Sequence, residues 1–210
     1  DADITQNTAK NWLNILETLG IVFQLLPYSN NVLKRTIKTP KLYFYDTGLV
    51  CYLTKWSSPE VAEAGAMNGA LLENYTISEI IKSYQNAWLE PFLHYYRDRD
   101  DKEIDIILER DGTIFPLEIK KTVTPDKRII RGFKVIDKSP LHIGTVAVLC
   151  MADRFGAFDS ENLIIPIWLI WQKIRCVEFF SQNVKYQEIS IQFSWCFLQI
   201  LNAATSILRF

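Results

Sequence analysis

Hydrophobic residues recur along the chain with a period that changes from helical to strand-like. Apolar residues three and four positions apart predict an amphipathic helix over residues 8–19. Its apolar face consists of Trp12, Ile15, Leu16 and Leu19. Aliphatic and aromatic runs at 21–28 and 39–46 predict two strands joined by a basic turn. Helix, strand, basic loop and strand in this order predict the second half of a winged helix-turn-helix module over residues 1–46.

A longer helical pattern over residues 67–84 is followed by three strand-like segments, a predicted helix over 125–137 and a continuous apolar run typical of a buried strand. This order predicts a mixed α/β domain with a central sheet over residues 47–170. Glu73 falls within the apolar side of the 67–84 helix. A carboxylate in that position is costly unless it is paired or binds a metal.

Charged residues interrupt the two strands on either side of Asp111-Gly112, a dipeptide typical of a tight β-hairpin. With these two residues as the loop, Asp105 lies opposite Glu118, and Lys120 shares their face of the sheet. Two opposed carboxylates repel each other unless a cation lies between them. A helix packed on this face would bring Glu73 into the same group.

These residue types are suited to metal-dependent phosphodiester hydrolysis. Mg²⁺ prefers oxygen ligands, which Asp105 and Glu118 are predicted to supply. Lys120 would hold the attacking water or a phosphate oxygen. The alternative is a solvated antiparallel face, on which acids and lysines alternate without forming a site. Glu103, two positions before Asp105, is predicted to be a plain surface charge.

Composition gives no sign of a global nucleic-acid field, because the formal net charge is −1. A local patch could still contact phosphates, and the segment NNVLKRTIKTPK, which runs from the basic turn into the second strand, contains four candidates. These are Lys34, Arg35, Lys38 and Lys41. The alternative is a solvated basic hairpin. The four cysteines are widely spaced and there are two histidines, which argues against a zinc finger or disulfide framework and favours a reducing cytoplasm.

Residues 171–210 differ in character from the preceding sequence and are predicted to be an atypical apolar tail. The stretch 189–208 is about long enough to cross a membrane. Gln192, Gln199 and Asn202 lie within it and are costly in lipid, so a membrane partner is not expected. The chain begins with Asp, and we expect it to be a fragment of a longer protein.

Two patterns carry a resemblance to known families. The spacing of Asp105 and Glu118-Ile119-Lys120, with a helical Glu73 upstream, resembles the PD-(D/E)xK motif of restriction-endonuclease-like folds. The segments TAKNWLNILETLGIV, KTPKLYFYDTGL, GALLENYTISEI, YYRDRDDKEIDIIL and PLEIKKT resemble the C-terminal region of prokaryotic AAA+ ATPases known as domain of unknown function 4143. This resemblance covers residues 5–170. The position before Asp105 holds Ile104 where the motif has proline.

The resemblance implies a nuclease-like domain with Glu73, Asp105, Glu118 and Lys120 as its catalytic positions and Mg²⁺ as cofactor. It also implies an ATPase module upstream, which would be a partner and the route by which ATP acts. The phosphate-binding pattern GxxxxGK[ST] does not occur in these 210 residues. The nuclease-like resemblance implies nucleic acid as a partner, and the sequence does not name a particular substrate. The alternative is a non-catalytic DNA-binding or regulatory docking domain of the ATPase.

Overall fold

The computed structural model describes residues 3–28, 38–137 and 139–171. It confirms the predicted mixed α/β class, in which helices are followed by a mixed seven-stranded sheet. The predicted tail therefore lies outside the described residues, apart from Trp171.

The first described elements are a helix and a two-stranded antiparallel sheet. Helix α1 spans Gln6–Thr18, and the Thr5 side chain caps it by accepting a hydrogen bond from the N–H of Thr8. Strands β1 (Val22–Leu25) and β2 (Lys41–Phe44) then pair with each other. The predicted order of helix, strand and strand is confirmed, whereas the winged-helix assignment stays a prediction.

Three helices connect the small sheet to the large one. Helix α2 spans Thr47–Leu53, α3 spans Pro59–Ala64 and α4 spans Asn68–Asn86. Ser58 caps α3 and Pro59 is its first residue, which is a favourable helix start. Helix α4 is the long helix that the apolar pattern predicted, displaced by one residue at its start and two at its end.

The large sheet contains the remaining seven strands. They are β3 (Leu93–Arg97), β4 (Glu103–Arg110), β5 (Thr113–Lys120), β6 (His142–Ile143), β7 (Val146–Cys150), β8 (Gly156–Ala157) and β9 (Asn162–Pro166). Their spatial order is β3-β4-β5-β7-β9-β8, and β6 pairs with β5. The first three strands are antiparallel, and β5, β7 and β9 are parallel. Strands β4 and β5 thus lie inside the sheet, where both faces can be covered.

The hairpin between β4 and β5 has the predicted turn and register. Asp111 and Gly112 have φ angles of 51° and 72°, the left-handed values that a type I′ turn needs. Pairing runs from Arg110 opposite Thr113 to Ile106 opposite Leu117. This places the carboxylate-bearing ends of both strands together, away from the turn.

The helix predicted over residues 125–137 is present as a 3₁₀ helix, Lys127–Ile136. Ile130, Phe133 and Ile136 are spaced by three, which gives one apolar row when there are three residues per turn. Phe133 and Ile136 are buried in a core cluster that includes Ile104 of β4. Gly132 also weakens the α-helical alternative. A second 3₁₀ helix, Ile167–Trp171, ends the described chain.

The apolar face predicted for α1 is largely exposed. Trp12 is 54% exposed and Leu19 is 66% exposed, and α1 has no buried residue. In the described part of the chain, no helix combines the length and hydropathy needed to cross a membrane. The 189–208 stretch lies outside the described residues.

Candidate functional site

Asn74 joins α4 to the edge of the small sheet. Its Oδ1 accepts a hydrogen bond from the backbone N–H of Phe44 at 2.8 Å, and its Nδ2 donates to the carbonyl of Phe44 at 2.9 Å. Asn74 is buried, so both bonds are shielded from water. The amide therefore takes the place of a neighbouring strand beside β2 and fixes the position of α4 along it.

Glu73, the residue before this anchor, turns its carboxylate towards β2. Its Oε1 accepts hydrogen bonds from Lys41 Nζ at 2.9 Å and from the hydroxyl of Tyr43 at 2.5 Å. Burial and the charge of Glu73 raise the pKa of Tyr43, so this phenol stays a donor. Glu73 is thus paired, as a carboxylate on an otherwise apolar helix side must be.

Lys41 bonds a second carboxylate as well. Its ammonium forms an ion pair with Glu103 and lies 5.2 Å from the centre of the Tyr95 ring. Burial alone would lower the pKa of Lys41, but the hydrogen bonds and charges of Glu103 and Glu73 raise it. Lys41 therefore begins β2 as a charged residue held by two carboxylates, and its predicted contact with phosphate stays a prediction.

Asp105 is the most deeply buried acid of the site, with 8% of its surface exposed. Its Oδ2 accepts a hydrogen bond from the backbone N–H of Ile119 at 2.7 Å. Burial, followed by the charges of Glu118 and Glu73, raises its pKa to about 7, although the Ile119 N–H and Lys120 oppose the shift. The carboxyl is therefore poised to gain or lose a proton near neutral pH.

Glu118 and Lys120 form a pair on β5, with Nζ and Oε1 2.6 Å apart. Burial raises the pKa of Glu118 even though Lys120 and the backbone N–H of Asp105 oppose this. Burial would lower the pKa of Lys120, but the hydrogen bond and charge of Glu118, with the charges of Asp105 and Glu73, raise it. The four residues predicted as catalytic thus interact electrostatically within one region.

Three carboxylates approach one another closely enough to share a cation. One oxygen each from Glu73, Glu103 and Asp105 lies within 4.8 Å of the other two. We call these three residues the carboxylate cluster. The prediction that Glu103 is a plain surface charge is wrong. Its sequence signal was its position two residues before Asp105 on a strand, which puts both side chains on the same face.

Of the four predicted phosphate-contacting residues, the structure describes only Lys38 and Lys41. Lys38 is exposed, whereas Lys41 forms ion pairs with Glu73 and Glu103 of the carboxylate cluster. Lys34 and Arg35 lie outside the described residues. A nucleic-acid role for this loop stays a prediction.

Two family models match this chain. Residues 68–170 match a family described as domain of unknown function DUF4143, and residues 1–60 match domain of unknown function DUF8612. The resemblance to domain of unknown function 4143 is thereby confirmed over α4 and the large sheet. The restriction-endonuclease-like assignment and its C-terminal placement stay predictions.

Two curated proteins are similar to part of the chain. The uncharacterized proteins Mb2031c of Mycobacterium bovis and Rv2008c of Mycobacterium tuberculosis are each 34% identical over 124 residues, which is 59% of this chain. The match covers 27% of each relative, so the chain corresponds to a minor part of their length.

Among solved structures, a half-complex of Thermococcus gammatolerans McrB AAA+ hexamers with bound McrC aligns with 47% of this chain and 27% of that chain. The identity is 9% and the TM-score 0.31.

Proposed function

We propose that residues 47–170 form a restriction-endonuclease-like domain that hydrolyses phosphodiester bonds of nucleic acid with a divalent cation. The observation that carries this proposal is the carboxylate cluster, whose oxygens converge beside the Glu118–Lys120 pair. Acids and a lysine in this combination have the chemistry to bind a cation and a phosphate side by side.

A divalent cation fits the cluster by the chemistry of its donors. All three groups are carboxylates, the oxygen ligands that Mg²⁺ prefers. The Lys41 ammonium pairs with both Glu73 and Glu103, so a positive charge already lies where those two carboxylates meet. A divalent cation at this place would have the same sign of charge. When bound, a divalent cation would neutralise charge that develops on the phosphate and favour ionisation of the attacking water.

The protein's own residues would position the reactants. The Ile119 N–H fixes Asp105, and the pairing with Lys41 and Tyr43 fixes Glu73. Lys120 is 44% exposed in its side chain, so its ammonium can reach a phosphate oxygen while Glu118 holds it from the other side. Preorganised charge of this kind stabilises a transition state without rearrangement at the moment of reaction.

The test is cleavage of labelled single-stranded and duplex DNA and of RNA, with Mg²⁺ or Mn²⁺ and with EDTA. We expect cation-dependent cleavage by the wild-type chain. Asp105→Asn and Lys120→Ala should each reduce the rate roughly 100-fold or more, as the loss of a charge-stabilising group does elsewhere.

Lys121→Ala is the matched control, because Lys121 is the next residue and its ammonium bonds the carbonyl of Glu63 outside the cluster. Its rate should remain within about twofold of wild type, as expected for a surface change. Cleavage that persists equally in Asp105→Asn, or that is insensitive to EDTA, would refute the proposed activity.

We further propose that the full-length protein contains an ATPase with which this region acts. The resemblance to the C-terminal region of AAA+ ATPases supports this, as does the small fraction of each relative that the chain covers. Co-purification of the chain with the upstream region of its own full-length protein would test the association.

The second candidate function is a regulatory docking domain without catalysis. The exposed apolar side chains of α1 favour it, because apolar surface of this kind is typical of a site that contacts another protein. Under this alternative, Trp12→Ser would weaken binding to the upstream region, while Asp105→Asn would leave it unchanged. Cleavage activity is expected only under the first proposal.

A further inference from the structure

We propose that Lys41 is an internal counter-ion of the carboxylate cluster and must leave Glu73 and Glu103 before a divalent cation can bind there. The inference rests on the proposed cation site and adds a competitor to it. Strand β2 would thereby set the affinity of the site for metal.

The geometry places Lys41 in direct competition with a metal. Its ammonium bonds one oxygen of Glu73 at 2.9 Å and one oxygen of Glu103. The same two residues supply two of the three converging oxygens. The ammonium and a divalent cation would therefore draw on the same two carboxylate groups, and their like charges would oppose binding at the same time.

Lys41 is held in this place from several directions. Its ammonium lies 5.2 Å from the Tyr95 ring centre, a cation–π distance, and its side chain is 23% exposed. Tyr95 is itself buried and donates its hydroxyl hydrogen bond to the carbonyl of Thr39. Lys41 is thus positioned before any ligand arrives, and releasing it has a cost that metal binding must overcome.

The charges around the carboxylate cluster indicate why a divalent cation could nevertheless replace the Lys41 ammonium. Glu73, Glu103, Asp105 and Glu118 bring four carboxylates to the region, whereas Lys41 and Lys120 bring two ammonium groups. A divalent cation supplies two charges where Lys41 supplies one, so exchange improves the local balance. The Nε of Arg97 lies 3.7 Å from the Oε2 of Glu103, so Glu103 would keep this cationic partner after Lys41 leaves.

The test is a titration of Mn²⁺ into wild type, Lys41→Met and Lys41→Arg. Isothermal titration calorimetry at constant pH measures the affinity of each protein. Lys41→Met retains an unbranched side chain over Tyr95 but has no charge, so it should bind Mn²⁺ about tenfold or more tightly than wild type, the effect of one charge-assisted hydrogen bond. Lys41→Arg keeps the competing charge and should not gain affinity.

Lys38→Met is the matched control, because Lys38 is an exposed lysine three residues earlier. It removes the same charge from the protein and should leave the affinity within about twofold of wild type, as expected for a screened surface charge. Equal gains in Lys38→Met and Lys41→Met would show a general field effect and overturn the competition.

A second measurement needs no variant that could misfold. Lysine side-chain ¹⁵N NMR of the wild-type chain should show a hydrogen-bonded Lys41 ammonium that loses this signature when Mg²⁺ saturates the site. A Lys41 signal that is unchanged at saturation would overturn the inference.

The outcomes separate the inference from the function it rests on. If wild type binds Mn²⁺ and Lys41→Met binds it no more tightly, Lys41 does not compete, yet the cation site stands. If neither protein binds Mn²⁺ or Mg²⁺, both the cation site and the competition are refuted.

Discussion

Replacing Asp105 with Asn is expected to make the protein more stable at pH 8, although it removes an acid from the centre of the candidate site. Burial and the charges of Glu118 and Glu73 raise the pKa of Asp105 from 3.8 to about 7. The folded state must therefore keep an unfavourable charge at pH 8. A pKa difference of this size corresponds to about 4 kcal/mol of unfolding free energy.

The sign of the pH dependence follows from proton binding. Folded Asp105 binds its proton more tightly than the unfolded chain does, so its favourable contribution is full below about pH 4 and is lost as pH rises through about 7. Asn cannot ionise, and its carbonyl can still accept the hydrogen bond from Ile119. The difference in stability should therefore be small at pH 4 and grow to about 2–4 kcal/mol at pH 8.

Urea unfolding at a series of pH values measures this difference. Asp111→Asn is the control, because Asp111 is an exposed aspartate in the turn of the same hairpin and Asn-Gly suits that turn equally well. It should change stability by less than about 0.5 kcal/mol at every pH. If the unfolding free energies of Asp105→Asn and Asp111→Asn depend on pH in the same way, the buried charge of Asp105 does not destabilise the folded protein.

Asn74→Ala is expected to detach α4 from the small sheet, costing about 3 kcal/mol of unfolding free energy. It removes two hydrogen bonds and leaves both backbone groups of Phe44 without their side-chain partner. Because Asn74 adjoins Glu73, the variant should also weaken Mn²⁺ binding without altering any carboxylate. Thermal and urea unfolding, followed by calorimetry with Mn²⁺, measure the two effects.

Asn86→Ala provides a matched control at the exposed end of the same helix. Its expected effect on stability is less than about 0.5 kcal/mol, with unchanged Mn²⁺ binding. Asn74→Asp separates the two bonds, because its carboxylate can accept from the N–H of Phe44 but cannot donate to the carbonyl. Wild-type stability in Asn74→Asp would show that the donated bond contributes little.

Local patterns in the sequence were sufficient for the hairpin and the sheet region. Asp111-Gly112 fixes both the turn and the register, because positive φ angles are tolerated there and side chains alternate along the strands. The helical period that placed Glu73 on a packed side of α4 was equally local. These features depend on neighbours within one or two elements, which periodicity can report.

Contacts between distant segments were beyond the reach of such patterns. The run of basic residues before Lys41 gives no sign of its pairing with Glu73 and Glu103, because that pairing depends on how the small sheet packs. Strand alternation puts Glu103 on the face of Asp105, but its ion pair with Lys41 depends on a distant segment for which local patterns give no signal. The helix over 125–137 could be predicted locally, but its 3₁₀ form could not, because Ile130, Phe133 and Ile136 fit either helical period over a short stretch.

The Asn74 bridge has a consequence for how such proteins can be recombined. It joins β2, within residues 1–60, to α4, within residues 68–170, and the same junction delivers Lys41 to the acids of the second segment. Exchanging the first segment between homologous proteins would therefore transplant a counter-ion as well as a strand. A chimaera could keep every acid of the cluster and still differ in the proposed affinity for a divalent cation, because the exchanged segment supplies residue 41.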